Sequence, residues 1–125
     1  MKVSPKNAET MYVVFRVIVG LTFLLHGIMK IPGLRAGTTE IMSLMALAAL
    51  IEVVGGAFLI IGLWVKPTAT IAAIEMAYAF LVVHVYGNAW NFNPLANKGE
   101  PALLFFAAFL VLIAYGAGKW AIDKK

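Results

Sequence analysis

Leu47-Ala-Ala-Leu-Ile-Glu-Val-Val-Gly-Gly-Ala-Phe-Leu59 decides how this chain is built. A single carboxylate, Glu52, stands in a run that is otherwise apolar or glycine. A charge is costly in hydrocarbon, so an intramembrane ionisable residue faces a bundle interior or a polar cavity. Arg16, His26, Glu75 and His84 sit in the same way inside other apolar runs. The stretch therefore reads as a spanning helix whose charged face meets partners from other spans.

Composition agrees with that reading. Of 125 residues, 62% are hydrophobic and 13% charged, and the mean hydropathy is +0.91. A soluble domain is roughly 45–50% apolar and about 25% charged. The expected product is one integral membrane domain, multi-pass in the cell (plasma) membrane. The net charge of +4 comes from 10 Lys+Arg against 6 Asp+Glu. These residues form no patch but cluster at the ends of apolar runs, where they meet headgroups. Nucleic acid is excluded as a partner. No cysteine is present, which removes disulfides, thiolate catalysis and Cys-ligated centres. The run after Met11 is too long for a signal core, carries Arg16 and lacks a small-x-small cleavage site.

The hydropathy predicts an all-α, four-helix transmembrane bundle with spans at about residues 11–30, 41–65, 68–86 and 101–118. Lys66-Pro67 marks the turn between the second and third spans, and Glu100-Pro101 a favourable helix start. One side collects Lys2, Lys6, Lys66, Lys119, Lys124 and Lys125, the other Lys30, Arg35 and Lys98. The positive-inside rule then puts both termini in the cytoplasm, with loops around 31–40 and 87–99 outside. The second loop, Tyr86-Gly-Asn-Ala-Trp-Asn-Phe-Asn-Pro-Leu95, suits an interfacial anchor. Its alternative role is a partial lid over an outward cavity, with Lys30, Trp90 and Glu100 at the outer mouth.

At 1.5 Å per residue, Arg16 lies about 8 Å and His26 about 22 Å from the inner edge, and, from the Lys66-Pro67 turn, Glu75 lies about 12 Å, Glu52 about 20 Å and His84 about 25 Å. Arg16 and Glu75 are thus expected to form a supporting charge pair in the inner half, with snorkelling as the alternative for Arg16. His26, Glu52 and His84 share the outer half. They are the candidate ligand-binding or proton-relay group, able to hydrogen-bond the carbonyls of a quinone-like ring. The competing account is a satisfied polar knot that fixes helix register. No metal is expected, because no ligand spacing such as His-x-x-x-His supports one. Gly20 and Gly27, like Gly55 and Gly62, recur at seven residues and predict close helix approach. Phe105, Phe106 and Phe109 read as packing or lipid-facing residues.

The chain resembles DoxX-like membrane proteins. Arg16-x3-Gly20-x2-Phe23-Leu24-x-His26-Gly27-x2-Lys30 looks like that family's opening signature, and Glu52-x2-Gly55-Gly56 with Gly62 follows in the second span. An Ala-rich third span reaches His84. Glu100 and Gly116-Ala-Gly118-Lys-Trp120-Ala-Ile-Asp123 are similar to the closing part, with its glycine–aspartate motif. Glu75 departs from the pattern, where an apolar or small residue is usual. The resemblance implies a four-helix membrane bundle. It also points to redox assemblies, since founding members are subunits associated with thiosulfate:quinone oxidoreductase and others are linked to oxidative-stress or thiol-oxidation complexes. Membership does not transfer a reaction. No cofactor is identifiable by motif, and a noncovalently held quinone stays open as an expectation. Three functions follow as expectations: a redox-associated subunit, alone as a homo-oligomer or beside a partner redox subunit; a noncatalytic scaffold or assembly protein; and a small transporter or channel.

Overall fold

Ser4-Pro5 starts the first helix: Ser4 Oγ accepts from Asn7 N at 3.2 Å, and Pro5, which has no N–H to leave orphaned, takes the first helical position. The computed structural model describes residues 2–35 and 43–124, which form four α-helices and, among the described residues, no strand. They are α1 (Pro5–Arg35), α2 (Leu44–Ile61), α3 (Val65–Tyr78) and α4 (Glu100–Tyr115). The chain beyond α3 stays helical, as a π-helical segment Ala79–Val85 and a 3-10 turn Tyr86–Asn88.

The boundaries differ from the hydropathy reading at several places, among them the end of α4, which stops at Tyr115, short of the expected residue 118. α1 begins before Met11 because its first turn is polar, and it runs through Pro32 to Arg35, so much of the expected loop at 31–40 is helix. Residues 36–42, including the expected start of the second span, lie outside the described residues. α2 stops at Ile61, where Gly62 takes the left-handed conformation (φ 73°) and closes the helix by donating to Phe58 O. Trp64 (φ 48°) follows, and α3 starts at Val65, so Lys66-Pro67 belongs to its first turn.

The helices run up, down, up and down. α1 is apolar on both faces: Val14, Ile18, Leu21, Leu25 and Ile28 are exposed, while Val13, Val19 and Phe23 are buried. An all-round apolar helix with an exposed aliphatic stripe belongs in lipid. Three segments are long and apolar enough to cross a membrane, Pro5–Gly33, Leu44–Ile61 and Val65–Asn88. α4, with 16 residues, spans about 24 Å. The protein is a multi-pass membrane protein.

Glycine sets the packing. A Cβ at Gly56 would lie 2.6 Å from Leu24 N and 2.7 Å from Gly20 O, and one at Gly20 would lie 2.9 Å from Gly56 O. α1 and α2 therefore meet backbone to backbone. α3 packs mainly on α4. The two pairs are joined by an aromatic core in which Phe23 stacks edge-on with Phe109 (centroids 4.8 Å apart) and tilts against Phe105 (5.5 Å).

The C-terminal segment locks the end of the bundle that carries both termini. Gly116, Gly118 and Trp120 have positive φ, which curls the chain so that its carbonyls face Arg16. The fully buried Arg16 guanidinium donates to the carbonyls of Leu59 (3.0 Å), Ala117, Lys119 (3.2 Å) and Trp120 (3.0 Å). Asp123 Oδ1 and Oδ2 accept from Trp64 N (2.7 Å) and Val65 N (2.8 Å), capping α3 from a distance.

Candidate functional site

Between the two helix pairs, in the half of the bundle away from the termini, lies a cavity of about 710 Å³. That is within the roughly 300–1,000 Å³ usual for small-molecule sites. Phe23, Ile51, Met76, Ala79 and Phe105 supply apolar wall. Leu44 and Leu47 of α2 and Ile71 and Ile74 of α3 line it too and remain exposed. The cavity is therefore open between α2 and α3 and not enclosed.

Its polar centre is built at the closest approach of α1 and α2. A Cβ on Gly27 would sit 2.8 Å from Glu52 Cβ, so the two backbones touch there. One turn further along α1, Lys30 Nζ donates to Glu52 Oε2 at 2.6 Å. The Glu52 side chain is 4% exposed and that of Lys30 27%. Glu75 reaches the same level from α3: Glu52 lies ten residues before Gly62, and Glu75 ten after Val65. Both Glu75 oxygens are closed off from solvent and neither makes a well-directed hydrogen bond. The Glu52 carboxyl faces it at near hydrogen-bonding range, and Lys30 adds the opposite charge. Fully ionised, Lys30, Glu52 and Glu75 would together carry one net negative charge.

The two imidazoles flank this centre. His84 Nδ1 meets Asn97 O at 3.2 Å; a carbonyl only accepts, so Nδ1 carries the proton. His26 stacks edge-on with Phe105 at 5.3 Å, on the exposed rim. His26, Glu52 and His84 thus all line one cavity, while each has its own neighbour and none bonds another.

The expected Arg16–Glu75 pair is not made. Arg16 is consumed by carbonyls at the end of the bundle that carries the termini, and Glu75 stands with Glu52. The outer mouth also differs. Lys30 turns inward to Glu52, while Trp90, edge-on to Tyr86 and exposed, and Glu100, exposed at the start of α4, lie outside the cavity lining. Lys98 and Pro101 line its rim instead.

Asn97 is a residue that hydropathy could not single out. Buried to 1% exposure, it accepts from Gly99 N (2.7 Å) through Oδ1 and donates to Asn91 O (2.8 Å) through Nδ2. It ties the 89–99 loop to His84. Among the described residues no group of three His, Cys, Asp or Glu is placed to hold a metal ion.

The DoxX family model matches residues 11–85, from the first turns of the α1 span through His84. The chain belongs to the DoxX family. A DoxX-family reading places Arg16, the glycine seam, Glu52 and both imidazoles within the matched region, with the Asp123 lock beyond it. The chain is also 40% identical over 115 residues to an uncharacterized protein of Haemophilus influenzae, covering 88% of this chain and 86% of the relative. No solved structure matches.

Proposed function

We propose that the cavity binds a small apolar molecule with a polar ring, of quinone type, and that the protein serves as a membrane-embedded subunit of a redox assembly. One observation carries this: a cavity of about 710 Å³, open between α2 and α3, holds an ion pair, a second carboxyl and two imidazoles against otherwise apolar walls. Apolar walls with a few convergent polar groups are the usual make-up of a ligand site. An opening between two spans suits a ligand that arrives dissolved in the bilayer. In this reading the end with the termini and Lys66 faces the cytoplasm, and the cavity lies in the outer half.

The test is purification in mild detergent followed by analysis of the extracted lipids. Quinone retained by the wild type and depleted in Glu52→Ala supports the proposal; no quinone in either overturns it. A noncatalytic assembly role is favoured by a different observation, that Lys30–Glu52 and His84–Asn97 satisfy one another as a fixed polar knot would. Under that role, Glu52→Gln and His84→Asn preserve partner co-purification and bind no less quinone than the wild type.

A further inference from the structure

A second recess, of about 880 Å³, lies at the end of the bundle that carries both termini. It opens where α4 stops short. The 16 residues of α4 reach about 24 Å, against a hydrocarbon core about 30 Å thick. Beyond Tyr115 the chain turns aside at Gly116 and Gly118, which have positive φ and no side chain to fill the gap. α1 runs on to Pro5 past Tyr12, whose hydroxyl donates to Gly116 O at 2.5 Å. The first turn of α3 closes the other side, with Lys66 laid against Gly116. A span too short for the bilayer draws headgroups toward its end.

The walls are graded in polarity. Val111 and Tyr115 on α4 are apolar or aromatic and exposed, and Trp64 is exposed beside them. Lys66, Lys119 and Lys124 bring three ammonium groups against the carboxylates of Glu9 and Asp123. Asp123 is already spent on Trp64 N and Val65 N. Lys119 rests over the Trp120 ring at 4.4 Å. Among the described residues Lys66 and Lys124 make no ion pair. The recess thus offers uncommitted cationic donors above an apolar strip. An anionic phosphate diester that carries acyl chains matches both parts. A free anion leaves the strip unused, and a zwitterionic headgroup brings a cation that the same lysines repel.

We infer that this recess binds the headgroup of an anionic phospholipid, with Lys66 and Lys124 donating to its phosphate. It lies at the other end of the bundle from the ligand cavity and does not depend on what that cavity holds.

The full chain in mild detergent is titrated with phosphatidylglycerol and phosphatidylcholine of matched acyl chains, and bound lipid is read by native mass spectrometry. The wild type binds the anionic lipid about ten-fold more tightly than the zwitterionic one. Lys66→Gln combined with Lys124→Gln lowers that preference to about two-fold. Lys2→Gln combined with Lys6→Gln removes the same charge from the same end, outside the recess, and leaves the preference near the wild-type value. No preference in the wild type overturns the inference. So does an equal loss in both double variants, which is diffuse attraction to a basic surface. Displacement of the lipid by inorganic phosphate at constant ionic strength overturns it as well, since the site then belongs to a free anion.

Discussion

Lys30 and Glu52 share a charge-assisted hydrogen bond at 2.6 Å, and each makes the other tolerable away from water. Removing one partner strands the other. Glu52→Leu is expected to lower stability in detergent by about 2 kcal/mol, reduced from the fully buried case because Lys30 keeps some exposure. The double variant Lys30→Met, Glu52→Leu should recover most of that loss, which thermal unfolding of the four-member cycle measures directly. Glu75→Leu behaves in the opposite way: replacing a buried carboxyl that crowds the Glu52 carboxylate with an apolar side chain should raise stability by about 1 kcal/mol without ligand. If Glu75→Leu is as destabilising as Glu52→Leu, Glu75 has a partner this account lacks. At this scale the sequence identified which residues were unusual but not whom they meet. Placing the α2–α3 turn at Lys66-Pro67 instead of Gly62 shifted Glu52 and Glu75 apart in depth, when they stand level. Lys30, expected at the outer mouth, meets Glu52 instead, because a backbone position near a helix end does not say which way so long a side chain points.

The elements are held by two devices of different legibility. Half of the glycine seam was visible as the seven-residue recurrence of Gly20 and Gly27, because close helix approach needs small residues on one face; on α2 the seam residue is Gly56, whereas Gly55 faces Thr68 and Gly62 closes the helix. Gly56→Leu is predicted to push α1 from α2 at the point where a Cβ would meet Leu24 N and Gly20 O. It should cost more than about 2 kcal/mol, since backbone cannot yield as a side chain does; a melting temperature within experimental error of wild type would contradict the seam. The C-terminal lock has no periodicity and was visible only as resemblance to a closing motif. Its physics is a cap supplied from a distant part of the same chain. Asp123→Ala removes acceptors for Trp64 N and Val65 N and should cost about 1 kcal/mol. Hydrogen exchange at these two amides reports it, with faster exchange expected there and little change in α4. The π-helical segment that carries His84 left no sequence signal, because its apolar residues suit any helical winding.

At the scale of the whole molecule, hydropathy was enough for an all-helical membrane bundle. It could not show the division into two tightly packed pairs that leaves the cavity between them. Because the chain has no cysteine, single cysteines report orientation cleanly. Asn91→Cys is expected to react with a membrane-impermeant maleimide added to intact cells, and Lys66→Cys only after the membrane is opened; the reverse pattern inverts the proposed topology. The ligand site itself is tested most directly by photolabelling. A photoreactive quinone analogue is applied to the protein in bilayers and the adducts are mapped by mass spectrometry. The account predicts adducts on cavity-lining residues near Ile51–Glu52 and Glu75–Ala79, displaced by excess unlabelled quinone. Adducts confined to the outward aliphatic stripe of α1, or undiminished by competitor, would contradict it.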